Sequence, residues 1–255
     1  MKQSQLYLST VDENAASLCR KYGLGLELAE FCTAWNLDDE FAATDQKIKA
    51  QMEGIHRFTM HGPYNELFPC AIDRKARQQC RDRYLQTMEV ARGYGIRKII
   101  FHAGFNPALY FPVWFTQQSI LFFQDFVKEI PEDMTIVLEN VVEEDPAWIT
   151  DILSSVDSPR LRMCLDVGHA RAYSRFTPAQ WVERAAPFLD HFHIHNNDGS
   201  RDSHSPLTEG CIPMAELLSQ IETQCPLATL TLELPEAESS VKWLLQNNIL
   251  EETAF

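Results

Sequence analysis

Short apolar runs recur along the chain, and most of them stop abruptly at a residue that can bind a proton or a metal ion. Phe58-Thr59-Met60 ends at His61, Ile99-Ile100-Phe101 at His102, and Ile136-Val137-Leu138 at Glu139. Leu161–Leu165 ends at Asp166, in the stretch Asp166-Val167-Gly168-His169. Phe192 leads into His193-Ile194-His195, and Leu230-Thr231-Leu232 ends at Glu233. Apolar runs this short, bounded by polar residues, read as buried strands. The six ends lie 27 to 41 residues apart, the period of a strand–loop–helix–loop unit.

Two earlier strands belong to the same series: Leu6-Tyr7-Leu8, and a segment within 24–31 that carries Glu27 and Glu30 near its end. Between the strands the pattern predicts helices over 12–22, closed by Gly23, and over 37–52. Asp73 is a suitable N-cap for a long helix through Ala91, broken at Gly93 and Gly95. Further helices are predicted over 115–130, from Asp145-Pro146, from Thr177-Pro178 to about Leu189, over 213–221 and over 239–246. Proline just inside a helix start is favoured because its missing N–H would have had no partner there. Eight β-then-α units, with no Gly/Ser linker, predict a parallel sheet closed into a single (β/α)8 barrel over 1–255, a TIM barrel. Its functional site belongs at the C-terminal strand ends, where the six ligand-type residues fall. An open doubly wound sheet is the alternative, but the first βα turn has no G-x-G-x-x-G.

Composition narrows the function classes. Of 255 residues, 45% are apolar and 23% charged, ordinary for a water-soluble domain. No stretch approaches the ~18–20 apolar residues of a membrane span, and the N-terminus lacks the apolar core of a signal peptide. Seven cysteines without a C-x-x-C pair read as reduced thiols of a cytoplasmic protein, Cys164 being a small strand residue. A net charge of −14 disfavours nucleic acid and anionic membranes as partners while leaving room for a local basic site.

The candidate chemistry lies in the ligand-type residues. A single histidine at a strand end is most often just hydrogen-bonded. Here His61, His102, His169, His193 and His204 converge with Glu139, Asp166, Asp202 and Glu233. Four carboxylates crowded together repel unless cations sit among them. Mixed imidazole and carboxylate donors suit Zn2+, Mn2+, Fe2+ or Co2+. His191, His193 and His195 alternate and so share one side of their strand. His193 is the ligand choice, His195 a supporting or substrate contact, and His191 packs lower. His56 is expected to be exposed or satisfied. Asp202-Ser203-His204 brings two ligands to one ion from an extended loop.

At these residues the sequence resembles the xylose isomerase-like barrel superfamily, which holds sugar isomerases and epimerases and the endonuclease IV class of abasic-site nucleases. The resemblance runs from His61-Gly62-Pro63-Tyr64 to Leu232-Glu233-Leu234-Pro235. From the epimerase members it implies a four-ligand centre of Glu139, Asp166, His193 and Glu233. The two glutamates would also move the proton, and His169 would touch substrate. From the nuclease members it implies three zinc ions held by His61, His102, Glu139, Asp166, His169, His193, Asp202, His204 and Glu233. The residues after Glu139-Asn140 and after His169 depart from the nuclease pattern, its DNA-wedging loops are not recognisable, and Asp38-Asp39-Glu40 is a poor DNA clamp. The expectation is therefore a divalent-metal isomerase or epimerase acting on a sugar, sugar phosphate or related polyol, with one to three Zn2+ or Mn2+ ions. The alternative is zinc-dependent phosphoester hydrolysis, and a silent binding barrel fits the carboxylates least. Arg171 and Arg201 are candidates to hold a substrate phosphate or carboxylate, and Trp35 and Phe105 to stack on a sugar face. A homodimer is open to such a chain.

Overall fold

Eight strands form in chain order: β1 (Leu6–Ser9), β2 (Gly25–Leu28), β3 (Phe58–His61), β4 (Lys98–His102), β5 (Thr135–Glu139), β6 (Leu161–Asp166), β7 (Leu189–Ile194) and β8 (Thr229–Leu232). Each pairs in parallel with the next, and β8 pairs with β1, so the sheet closes. The computed structural model describes residues 1–250; residues 251–255, the end of the expected domain, lie outside the described residues.

The outer ring comprises α1 (Ala15–Tyr22), α2 (Ala34–Leu37), α3 (Phe41–Met52), α4 (Arg74–Gly93), α5 (Pro112–Phe126), α6 (Ala147–Val156), α7 (Val167–Tyr173), α8 (Pro178–Ala185), α9 (Met214–Gln224) and α10 (Glu238–Gln246). The caps read from sequence form as expected. The Asp73 side chain accepts from Lys75 N, and Thr177 and Gln180 cap each other's backbone at the start of α8. Gly23 closes α1 at φ +64°, a left-handed conformation suited to glycine.

Several boundaries differ, for local reasons. Helix α5 begins at Pro112 rather than 115, because that proline takes the first helical position. Helix α8 stops at Ala185, since Leu189 is already paired with Met163 in the sheet. The helix expected over 37–52 is divided at Asp38–Glu40 into α2 and α3. The short helix α7 was not expected at all. Asp166 starts it by accepting from His169 N at 2.7 Å.

Strand alternation separates two environments. Outward positions such as Leu26, Met60, Phe101 and Phe192 pack against the helices with Phe115, Phe123, Phe126 and Trp181, all buried in one apolar core. Each such large side chain contributes roughly 1.5–3 kcal/mol by leaving water. Inside the barrel, Ile100, Val137 and Cys164 form a small separate apolar cluster. Beside them the interior is polar, with Glu27, Thr59, His191 and Thr231 all buried. All seven cysteines are free thiols. Among the described residues no helix is long and apolar enough to cross a membrane.

Candidate metal centre at the barrel mouth

Six strands deliver their last inward-facing residue to the same place. The register sets His102 beside Glu139 and Asp166 beside His193. His193 Nδ1 lies 3.2 Å from Glu139 Oε1, 3.3 Å from Glu233 Oε2 and 3.9 Å from Asp166 Oδ2. That nitrogen is buried and makes no aligned hydrogen bond. One donor atom from each of Glu139, Asp166, His193 and Glu233 lies within 4.8 Å of the others. An unpartnered imidazole nitrogen among three carboxylates is the donor set of a divalent cation, so the residues fit such an ion.

The flanking histidines are arranged in the same sense. His61 Nδ1 donates to the Gly62 carbonyl at 2.9 Å, which aims Nε2 at Glu139 Oε2, 3.1 Å away. His169 Nδ1 donates to the Asn140 carbonyl at 3.0 Å, and its Nε2 faces Asp202 Oδ2 at 3.2 Å. His204 Nδ1 donates to the Glu233 carbonyl at 2.8 Å, and its Nε2 faces the same Asp202 oxygen at 2.8 Å. A backbone carbonyl fixing one ring nitrogen while the other looks into a carboxylate cluster is how metal-binding histidines are oriented. His169, Asp202 and His204 form a second candidate ligand group, and His61, Glu139 and His193 a third. His102 is held more loosely. Its Nε2 is 3.7 Å from Glu139 Oε2, and its ring stacks on Tyr64 with centroids 4.2 Å apart.

The electrostatics describe a site short of positive charge. Burial works against ionisation of Glu139, but the His193 charge beside it holds its carboxyl well below the usual range. Asp166 is lowered against the same burial by His169 and His195. Conversely, burial opposes charge on His169 and His193, and the carboxylates around them still hold both well above the ordinary imidazole range. His204, despite its burial, is raised to about 9 by the Asp202 hydrogen bond. His102 goes the other way, as burial pushes it down to about 3. The imidazolium form of His193 and His169 is one way to meet the carboxylates' demand, and a divalent cation with deprotonated rings is another.

All nine residues expected as ligands are thus together, and the side chains grade from closed to open. His193 and Asp166 are fully buried, whereas His102 and His204 retain 20% and 29% exposure, so the cluster meets solvent on their side. His195 supports Asp166, its Nε2 lying 3.0 Å from both carboxylate oxygens. His191 sits lower, as expected, bonded to Thr229, Thr231 and Glu27. His56 is exposed. Arg171 Nε lies 2.9 Å from Cys211 Sγ, and Arg201 is exposed on the 196–204 loop. Trp35 is largely exposed on α2. Phe105 is buried, with its ring 5.1 Å from those of Phe115 and Trp148.

Two supporting residues have no role assigned from sequence, and a third, Glu27, stands there only as a carboxylate near the end of its strand. Asn140 holds the Asp166 backbone from both sides, accepting from its N–H at 2.9 Å and donating to its carbonyl at 3.0 Å. Asn197 donates to the Gly168 carbonyl at 2.9 Å. Glu27 is fully buried in the barrel interior. A signal for Glu27 was present: Leu24, Leu26 and Leu28 face outward, so the carboxylate between them must face inward. Gly168 is required because the His195 ring lies against it; a Cβ there would stand 1.9 Å from His195 Cε1. Gly168→Ala is therefore expected to cost about 1–3 kcal/mol by overpacking, read by urea unfolding. A variant as stable as the parent would show that α7 shifts freely.

Comparison with known proteins agrees with this geometry. Among curated proteins, an uncharacterized protein of Methanocaldococcus jannaschii is 27% identical over 197 residues, 69% of this chain and 65% of its own length. The chain therefore spans somewhat less than two thirds of that relative. A solved D-tagatose 3-epimerase-like protein has a TM-score of 0.75 at 20% identity, covering 96% of this chain and 97% of the other. A protein from Thermus thermophilus, solved after soaking with ZnCl2, has a TM-score of 0.73 at 22% identity, covering 95% and 97%. At such identities these likenesses speak for the fold alone. The family is carried by the sequence model of the xylose isomerase-like TIM barrel, which matches residues 17–247 and takes in every candidate residue at the strand ends. With the closed eight-strand barrel and its donor-lined mouth, that match places the chain in the xylose isomerase-like TIM barrel family.

Proposed function

We propose that this protein is a divalent-metal-dependent isomerase or epimerase that acts on a sugar, sugar phosphate or related polyol by proton transfer through an enediolate. One observation carries the reading: Glu139 and Glu233, from β5 and the end of β8, face the same His193 nitrogen at 3.2 and 3.3 Å. Two carboxylates at one point, entering from different sides of the mouth, are placed to take a proton from a substrate carbon and return one to the opposite face of that carbon or to its neighbour. Glu139, held ionised, is the base. Glu233, partly exposed at the open side, is the partner that exchanges protons with the substrate. His169 is placed to orient a substrate hydroxyl. Glu139, Asp166, His193 and Glu233 would hold the ion, whose positive charge, when bound, stabilises the negative charge that develops on adjacent substrate oxygens. Zn2+ and Mn2+ both suit this donor set.

A second reading, zinc-dependent phosphoester hydrolysis, is favoured by one specific observation. Donors beyond the four-ligand set, at His61 and at His169, Asp202 and His204, lie in the same mouth. The net charge of −14 weighs against a nucleic-acid substrate.

Metal content separates the two, measured per chain on protein purified without chelator and compared with His102→Ala and His204→Ala. One ion, retained in both variants, together with solvent-deuterium incorporation into members of a ketose panel, is the expected result. About three zinc ions, lost in part from both variants and accompanied by cleavage of phosphodiesters, would replace the isomerase reading with the hydrolase one. Protein that binds no metal after reconstitution would sink both.

A further inference from the structure

Below the mouth, the barrel interior holds a buried polar column outside the four-ligand set of Glu139, Asp166, His193 and Glu233. Glu27 is its centre. Its Oε2 accepts from Thr59 Oγ1 at 2.9 Å and Thr231 Oγ1 at 2.7 Å, and lies 3.1 Å from His191 Nε2. The carboxylate fixes the direction of these bonds. Oε2 can only accept, so His191 carries its proton on Nε2 and donates it to Glu27. His191 Nδ1 is then an acceptor and takes the Thr229 hydroxyl proton at 2.6 Å. Thr229 Oγ1 in turn accepts from Lys98 Nζ at 2.8 Å, and Lys98 also donates to the Asp190 carbonyl at 3.0 Å. With three donors on Oε2, the carboxylate cannot rotate, and its other oxygen, Oε1, faces His193 Nε2 at 3.0 Å, a close contact between two buried polar atoms that have no other partner, although the two are not aligned as a hydrogen bond.

We infer that Glu27 is a positioning residue for the metal centre, fixing the tautomer of His193. An oxygen that can only accept, held 3.0 Å from Nε2, favours the His193 tautomer with its proton on Nε2 over the one with a bare lone pair facing the carboxylate. That leaves Nδ1 as the lone pair facing Glu139, Asp166 and Glu233, the form a metal ion needs. The inference rests on the four-ligand reading of the mouth. Glu27 itself stands outside that set, one ring away from it.

Glu27→Gln tests the tautomer directly. The three donors on Oε2 demand the amide oxygen there, which turns the amide NH2 toward His193 Nε2. An NH2 can only donate, so the His193 proton must move to Nδ1, into the carboxylate cluster. The metal-free protein accepts this arrangement, since Nδ1–H then donates to Glu139 or Glu233. Metal binding does not, because the ligand lone pair has gone. Titrating metal-free protein with Zn2+ alone by calorimetry is thus expected to show affinity reduced by about 10- to 100-fold in Glu27→Gln, with the melting temperature of the metal-free protein little changed. Thr59→Val, which loosens Oε2 without touching His193, is expected to weaken Zn2+ several-fold and serves if the glutamine variant does not fold. His193→Ala is the control for the underlying reading. If it binds Zn2+ like the parent, the four-ligand centre is wrong. If it abolishes binding while Glu27→Gln and Thr59→Val bind like the parent, the centre stands and the role of Glu27 is overturned. Equal losses of affinity and of metal-free stability in Glu27→Gln would also overturn it, as a merely structural effect.

Discussion

Glu139→Gln is expected to lower turnover by about 10^4-fold at saturating metal, the upper end of what one general base supplies, while leaving the barrel folded. The side chain carries two roles at once. Its Oε1 faces the nitrogen of His193, and its Oε2 faces His61 at 3.1 Å and His102 at 3.7 Å. The amide keeps the shape and one acceptor but loses the charge and the basicity. Metal affinity is expected to fall as well, so turnover has to be read across a metal titration to separate the two roles. Glu233→Gln serves as the comparison. Removing one of two proton-handling carboxylates abolishes net conversion, yet leaves the other able to exchange its own substrate proton with solvent. Deuterium incorporation without net conversion in one variant, and neither in the other, would identify which carboxylate acts first. Turnover of Glu139→Gln within tenfold of the parent would remove Glu139 from the chemistry.

The barrel was legible in the sequence because its strands obey a simple rule. An outward Leu, Ile or Phe alternates with an inward residue, and the last inward residue is polar. Ile99-Ile100-Phe101-His102 shows it in four positions. Ile100 is in the interior cluster, Ile99 and Phe101 are in the outer core, and His102 is at the mouth. The strand-end residues were legible for the same reason. What escaped was whatever depends on contacts between distant segments. Helix α7 is too short for a periodic signal and exists because Asp166 caps it. Asn140 looks like an ordinary loop residue until the register brings it beside Asp166, 26 positions away. Glu27 obeys the same rule, as the last inward residue of β2, but the apolar run there closes on Leu28 and not on the carboxylate, so the pattern marks it only as a residue near the strand end. The aromatic and arginine contacts proposed for substrate had no pattern behind them, and Phe105 instead packs against Phe115 and Trp148.

The supporting shell also explains how so many ionisable groups coexist in one interior. Nearly every imidazole there has one nitrogen assigned to a fixed acceptor: Gly62, Asn140 and Glu233 carbonyls, Glu27, or Asp166. The ring orientations are therefore set by backbone carbonyls and by carboxylates on neighbouring strands, Asp166 among them. This is preorganisation in a physical sense, because each ring has already lost its rotational freedom before any ion or substrate arrives.

Glu143 does not share in that compensation, and its pH dependence is expected to show it. The side chain is buried in the loop between β5 and α6. Its Oε2 accepts from Val141 N at 2.6 Å, but Oε1 has no aligned partner. Burial pushes the carboxyl up to about 7, only partly offset by backbone N–H groups. The folded protein thus keeps a proton that the unfolded chain gives up near the ordinary glutamate value. The sign follows from that difference: the folded state binds more protons, so this contribution to stability is present at acid pH and is lost as pH rises through about 7. Between pH 5 and pH 8 the loss amounts to roughly 2–3 kcal/mol. Glu143→Gln cannot titrate, so its stability relative to the parent should rise by that amount over the same interval. Any constant cost of the unpartnered amide appears equally at both ends and drops out of the comparison. Urea unfolding of parent and variant at the two pH values measures it, and contributions from the metal-site histidines cancel because both proteins carry them. Parallel profiles would show that Glu143 is ionised in the folded protein at pH 8 without penalty, through a partner such as a bound cation or an imidazolium drawn to it.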